Sequence, residues 1–241
     1  AAASAFMLSA GQLDKAVTLA QRVLATDPAN ANANLLNVIG AAKKGDYAAI
    51  AAAVQKMPQQ GINRLIAPVL DAWAQVGQNK PDDALASLGK LAGNNAYEPY
   101  LQYHSALVNW QAGRTDKAEE AFKRTLTAGT GVRQMQAYGS FLAQTGRTQE
   151  AVRALRSYMD VQPNDEAIAS LLSALEAGKK PDPFVPDARA GMAELFYGLA
   201  TSLTVENAFG PARNYARTAI YLRPDLDGAK SVLATGMERE E

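Results

Sequence analysis

Few residues in this chain could do chemistry. His104 is the only histidine, so a nucleophile–histidine–acid relay would have to run through it, and a multi-histidine metal site is excluded. It follows Tyr103 in an apolar stretch and reads as a partly exposed structural histidine. Cysteine is absent, which removes disulfides, zinc thiolates and thiol nucleophiles. The acidic pairs Asp82-Asp83, Glu119-Glu120 and Glu240-Glu241 are sequence neighbours. Neighbours on a helix point about 100° apart, so these carboxylates do not converge on a substrate. Gly129-Thr130-Gly131 has the look of a phosphate loop but lacks its lysine and preceding strand. The sequence therefore predicts no catalytic residue, no metal and no cofactor, and a protein that is not an enzyme.

Charge narrows the partners. Lysine plus arginine equals aspartate plus glutamate, 24 each, and Lys43-Lys44 and Lys179-Lys180 are the kind of short basic pair that sits on a solvated surface. Nucleic acid binding needs a denser cationic stripe, so it is not expected. Hydrophobic residues at 48% and charged residues at 20% suit a folded chain rather than a disordered one. No apolar run reaches membrane-spanning length. Residues 1–6 carry no charged leader and read as a cut through a helix, which predicts a natural protein that starts earlier.

The elements that would carry any site are announced by glycine. Gly11, Gly45, Gly113 and Gly146 fall 34, 68 and 33 residues apart, with Gly77 between them, and a period of about 34 residues marks a helical repeat array. Gly11, Gly113 and Gly146 each stand five residues before an alanine, namely Ala16, Ala118 and Ala151. Each period splits into two amphipathic segments. Leu13, Ala16, Val17, Ala20, Val23 and Leu24 recur at helical steps and make one apolar stripe. Asp27-Pro28 then stops the segment, as do Pro163 and Pro224 further on, because proline cannot donate the next helical hydrogen bond.

On these residues the chain resembles the tetratricopeptide repeat (TPR) family. Gly139-Ser140-Phe141-Leu142, Gly146, Ala151, Tyr158 and Pro163 follow its pattern, as do Leu199-Ala200, Leu203, Ala212, Ala219 and Pro224, with Asn207 in place of the turn glycine. The resemblance implies an all-α fold, a right-handed α-solenoid of TPR helix hairpins with about 14 helices. Residues 1–163 divide into five hairpins. Residues 164–187 hold one helix, capped by Asn164-Asp165, and an insertion in which Pro181, Pro183 and Pro186 forbid a helix. Residues 188–241 hold one further hairpin and a terminal helix. The turn at Gly77 is two residues longer than its neighbours, and Pro81 fits the first turn of the next helix.

The family lines a concave groove with the first helix of each hairpin, and the resemblance implies a protein or peptide ligand there. Projecting the groove face selects Tyr100, Tyr103, Leu107 and Trp110 in the fourth hairpin, Arg133 and Gln136 in the fifth together with Ser140 and Gln144, Arg64 in the third beside Asp71 and Gln75, and Tyr197 beside Glu194 in the last. The second hairpin supplies Leu35, Ile39 and Lys43. Two tyrosines and a tryptophan on one face would make a hot spot, unless Trp110 and Leu107 pack against the next hairpin instead. Phe184 and Val185 could dock back over the groove or the convex side, with burial of Phe184 the plainer expectation. The co-chaperone type of TPR is not expected, because Ala1, Ala5, Leu35 and Ile39 stand where its carboxylate-gripping residues belong. A peptide carboxylate would lie there unpaired, at a cost of several kcal/mol. The family reading is thus a non-enzymatic scaffold or adaptor of bacterial type, in the periplasm or cell envelope, with the cytoplasm as alternative. A self-assembling array that forms homo-oligomers, and the regulatory fragment of a longer enzyme, are the rival functions.

Overall fold

The computed structural model describes residues 2–126 and 131–239. Ala1, Gly129, Thr130 and the Glu240-Glu241 pair lie outside the described residues. Among them the regular structure is helix alone, in fourteen segments. These are α1 (Ala2–Ser9), α2 (Leu13–Thr26), α3 (Ala31–Lys44), α4 (Tyr47–Val54), α5 (Asn63–Gly77), α6 (Pro81–Gly89), α7 (Glu98–Gln111), α8 (Thr115–Leu126), α9 (Val132–Gln144), α10 (Thr148–Val161), α11 (Glu166–Glu176), α12 (Ala188–Val205), α13 (Phe209–Leu222) and α14 (Asp227–Glu238). No helix among the described residues is long and apolar enough to cross a membrane.

Local chemistry sets the helix limits. Asn30 starts α3 by accepting from the Ala33 N–H at 3.0 Å, and Asp165 starts α11 by accepting from Ile168 N–H at 2.9 Å. Gly45 ends α3 in the left-handed region, where its N–H reaches Ala42 O. Asn207 takes the same conformation, with φ of 59°, in the turn between α12 and α13. It does there what the turn glycine does elsewhere, since asparagine tolerates that region better than most side chains. Asn79, at φ 60°, makes the longer turn after α5, and Pro81 opens α6.

The helices group into two compact units, Ala1–Leu91 with Asp187–Glu241, and Ala92–Pro186. In the second unit α7 to α11 pack each against the next, as a repeat array requires. Phe122, Phe141 and Leu155 are fully buried between them. Arg147, at the start of α10, ties α8 to α10 by donating to Glu119 at 2.6 and 3.1 Å and to Glu150 at 2.6 and 2.8 Å.

The first unit does not simply run in series. The hairpin α12–α13 folds back over the first helices of the three N-terminal hairpins: α12 packs along α5 and touches α3, and α13 meets α1 and α3. Small residues permit the approach, and Gly191 of α12 lies flat on the indole of Trp73, which is wholly buried. Tyr221 closes the contact from α13 by donating its hydroxyl to Asp14 of α2 at 2.5 Å. Burial and this carboxylate push the Tyr221 phenol up to about 12.

Candidate functional site

Helix α7 places Trp110 and Gln111 at its C-terminal end, and α9 carries Arg133, Gln136 and Gln144 at helical spacing along one side. The proline-rich segment that follows α11 lies across these residues. Its Phe184 ring stacks on Trp110 with centroids 6.3 Å apart and planes 23° from parallel. The Arg133 guanidinium sits 4.0 Å from the centre of the same ring and also donates to Gln136 Oε1 at 3.1 Å. Side-chain amides hold the backbone: Gln111 Nε2 donates to Val185 O, and Gln144 Nε2 donates to Pro181 O at 3.2 Å and to Asp182 O at 2.7 Å. Phe184 and Val185 are consequently buried, whereas Asp182, Pro183 and Pro186 are exposed. The segment is a strap laid across α7 and α9.

The residues selected from sequence are distributed unevenly. Trp110 is half-buried and wedged edge-on against Phe122 and Phe141, at 6.0 and 5.5 Å, so most of it belongs to the core. Leu107 is 1% exposed and Tyr103 6%, with the Tyr103 ring meeting His104 edge-on at 5.5 Å. Tyr100 is half-buried. His104 is itself buried at 1%, not partly exposed, because α7 turns that face into the hairpin. Ser140 is buried too. The structure thus brings Trp110, Arg133, Gln136 and Gln144 together around one non-helical segment, and keeps Tyr103 and Leu107 beneath the surface.

In the other unit the corresponding face is covered by α12 and α13. Lys43 donates to Tyr221 O at 2.7 Å, Ile39 is buried, and Leu35 lines a cavity of about 220 Å³ with Pro211 and Tyr215. Asp71 is buried and accepts from Ser87 at 2.6 Å and from Gln75 at 3.4 Å. Glu194 is buried against Arg223, at 3.4 Å. Arg64 is exposed, and Tyr197 is half-buried with its hydroxyl over Gly228. Gln111 is the residue that sequence reasoning missed. Its signal was its place at the end of the Tyr-Tyr-Trp helix, one residue after Trp110.

Among the described residues no group of three or more histidines and carboxylates could hold a metal ion. The strongest electrostatic feature is structural. Hydrogen bonds from Arg147 and then Lys123 hold the Glu119 carboxyl down at about 2.

Paired helices with small residues at their crossings, left-handed turns and a face covered by a non-helical segment define a helical-repeat class of α-fold. The model of the family described as Tetratricopeptide repeat matches residues 70–132. A solved tetratricopeptide repeat protein from Parabacteroides merdae superposes with a TM-score of 0.52 over 97% of this chain and 96% of its own, at 15% identity. At that identity the likeness speaks for fold alone. No curated protein matches the chain significantly. Residues 70–132 thus match the tetratricopeptide repeat in sequence, and the fold along the chain's length is like that of a solved tetratricopeptide repeat protein.

Proposed function

We propose that the protein is a non-enzymatic TPR scaffold or adaptor that holds a partner protein on the groove face of α7 and α9. The observation that carries this reading is the strap: a non-helical stretch of polypeptide lies on Trp110, under Arg133, and is held at its carbonyls by Gln111 and Gln144. A surface that grips one non-helical segment by its backbone has the chemistry to grip another, because backbone carbonyls are common to every peptide. Tyr100, Tyr103, Leu107, Trp110, Arg133 and Gln136 form or support that face, and Arg64 and Tyr197 are further partner contacts in the other unit. A bacterial envelope location accords with a chain that carries no cysteine, since a free thiol is a liability in an oxidising compartment.

The test is a crosslinking pull-down from native extract, comparing wild type with an Arg133→Ala, Gln144→Ala double variant. Both side chains reach the surface, so the variant keeps its core. A protein captured by wild type and lost by the variant is the expected result. Equal capture would move the site elsewhere, and recovery of the chain alone would favour self-assembly.

A further inference from the structure

The strap also carries information about the partner, and this inference rests on the scaffold reading above. We propose that residues 181–186, Pro-Asp-Pro-Phe-Val-Pro, occupy the groove as an internal stand-in for the partner, and that the partner segment has the same character: proline-rich, with one aromatic residue followed by an aliphatic one. The partner displaces the strap when it binds.

Three features support exchange rather than permanent closure. The anchor is narrow, since in this stretch only Phe184 and Val185 are buried, and Asp182, Pro183 and Pro186 face solvent. The clasps are generic, because Gln111 and Gln144 recognise carbonyl oxygens that any extended peptide offers. The aromatic slot is selective: the ring stacks on Trp110 and lies within 4.0 Å of the Arg133 guanidinium, both contacts that a flat aromatic ring makes best. Prolines on both sides of such a ring limit the conformations an incoming segment must give up, which is how proline-rich ligands bind aromatic grooves at low entropic cost. The strap leaves α11 through Gly178, in the left-handed region, and Lys179-Lys180, so its first residues are exposed.

A tethered occupant competes at an effective concentration on the order of millimolar, so the intact chain hides its own site. The experiment titrates a labelled synthetic peptide of residues 179–187 into the full chain, read by fluorescence anisotropy. The variants are Phe184→Leu, which keeps an apolar filler but removes the ring, and Phe184→Leu with Arg133→Ala. Phe184→Leu should bind the peptide at least tenfold more tightly than wild type, and the added Arg133→Ala should reverse that gain. A peptide carrying alanine for its phenylalanine should not bind. Hydrogen exchange on the wild-type chain supplies a readout that needs no variant: saturating peptide should speed exchange of the Phe184 and Val185 amides. Equal affinities for wild type and Phe184→Leu, absence of binding by folded protein, or unchanged strap exchange would each overturn the proposal. So would a wild-type dimer that the peptide dissolves, because the displaced occupant would then be the strap of a second copy. Partner capture in the pull-down without peptide binding would remove this inference and leave the scaffold reading standing. Peptide binding without capture would count against the scaffold reading and, with it, against the strap as a partner's stand-in, and would leave only a strap that exchanges.

Discussion

Replacing Gly191 with alanine probes the contact on which the discontinuous unit depends. A Cβ at this position would come closer than 3.0 Å to three carbons of the Trp73 ring system, and Trp73 is 0% exposed. In an open helix the same change would stabilise by about 0.5–1 kcal/mol, because alanine loses less backbone entropy than glycine. Here the methyl must push an indole that has no free volume beside it, and overpacking of a closed core costs about 1–3 kcal/mol. Taking the upper half of that range and subtracting the propensity gain leaves a net loss of about 1–2.5 kcal/mol. For a chain of this size that lowers the thermal midpoint by roughly 2–10 °C. Gly89→Ala is the control, because its added methyl meets nothing within 4 Å. The assay is urea unfolding followed by tryptophan fluorescence in a Trp110→Phe background. Trp73 is then the sole reporter, and it reads the unit that contains Gly191. If Gly191→Ala proves as stable as the parent while Gly89→Ala behaves as a neutral change, α12 does not lie on α5.

Two further perturbations address the other unit. Ala151 is fully buried on α10, so Ala151→Leu should overpack the hairpin and lower stability by about 1–3 kcal/mol, and an unchanged thermal midpoint would refute the repeat register. Glu119 is held at about 2 by its hydrogen bonds from Arg147 and Lys123, below the ordinary carboxylate value, so its contribution is complete above about pH 5 and disappears as the pH falls towards 2. Discounted for solvent around the partly exposed Arg147, that contribution is about 1 kcal/mol, and Glu119→Gln should flatten the acid limb of the stability curve by that amount. An acid limb that is the same in both proteins would show the network is inert.

Much of the helical organisation was legible in the residues themselves. Asp165 caps α11, Pro81 begins α6, and Asn207 replaces a turn glycine, each for a reason that operates within one turn of chain. The tight hairpin crossing was legible as well, in Gly139 against Leu155. The environment of the candidate site was legible only in part. The helical spacing of Tyr103, Leu107 and Trp110 put them on one face, but that face is shared between core and surface, so the first two are buried and the third is half-buried. Periodicity reports that a stripe is apolar, and an inward stripe and a ligand-facing stripe look alike in it.

By itself, then, the sequence determined the hairpins, their limits and the non-helical insertion, because caps, prolines and left-handed turns act between residues a few positions apart. Tertiary structure alone decided what covers each exposed face. Gly191 meets Trp73 across more than a hundred residues of chain, and Phe184 reaches Trp110 across more than seventy. An amphipathic helix specifies that its apolar side will be buried and leaves the choice of cover to shape and packing with distant segments. For this protein that choice brought α12 and α13 over the N-terminal hairpins, and laid the proline-rich strap across α7 and α9.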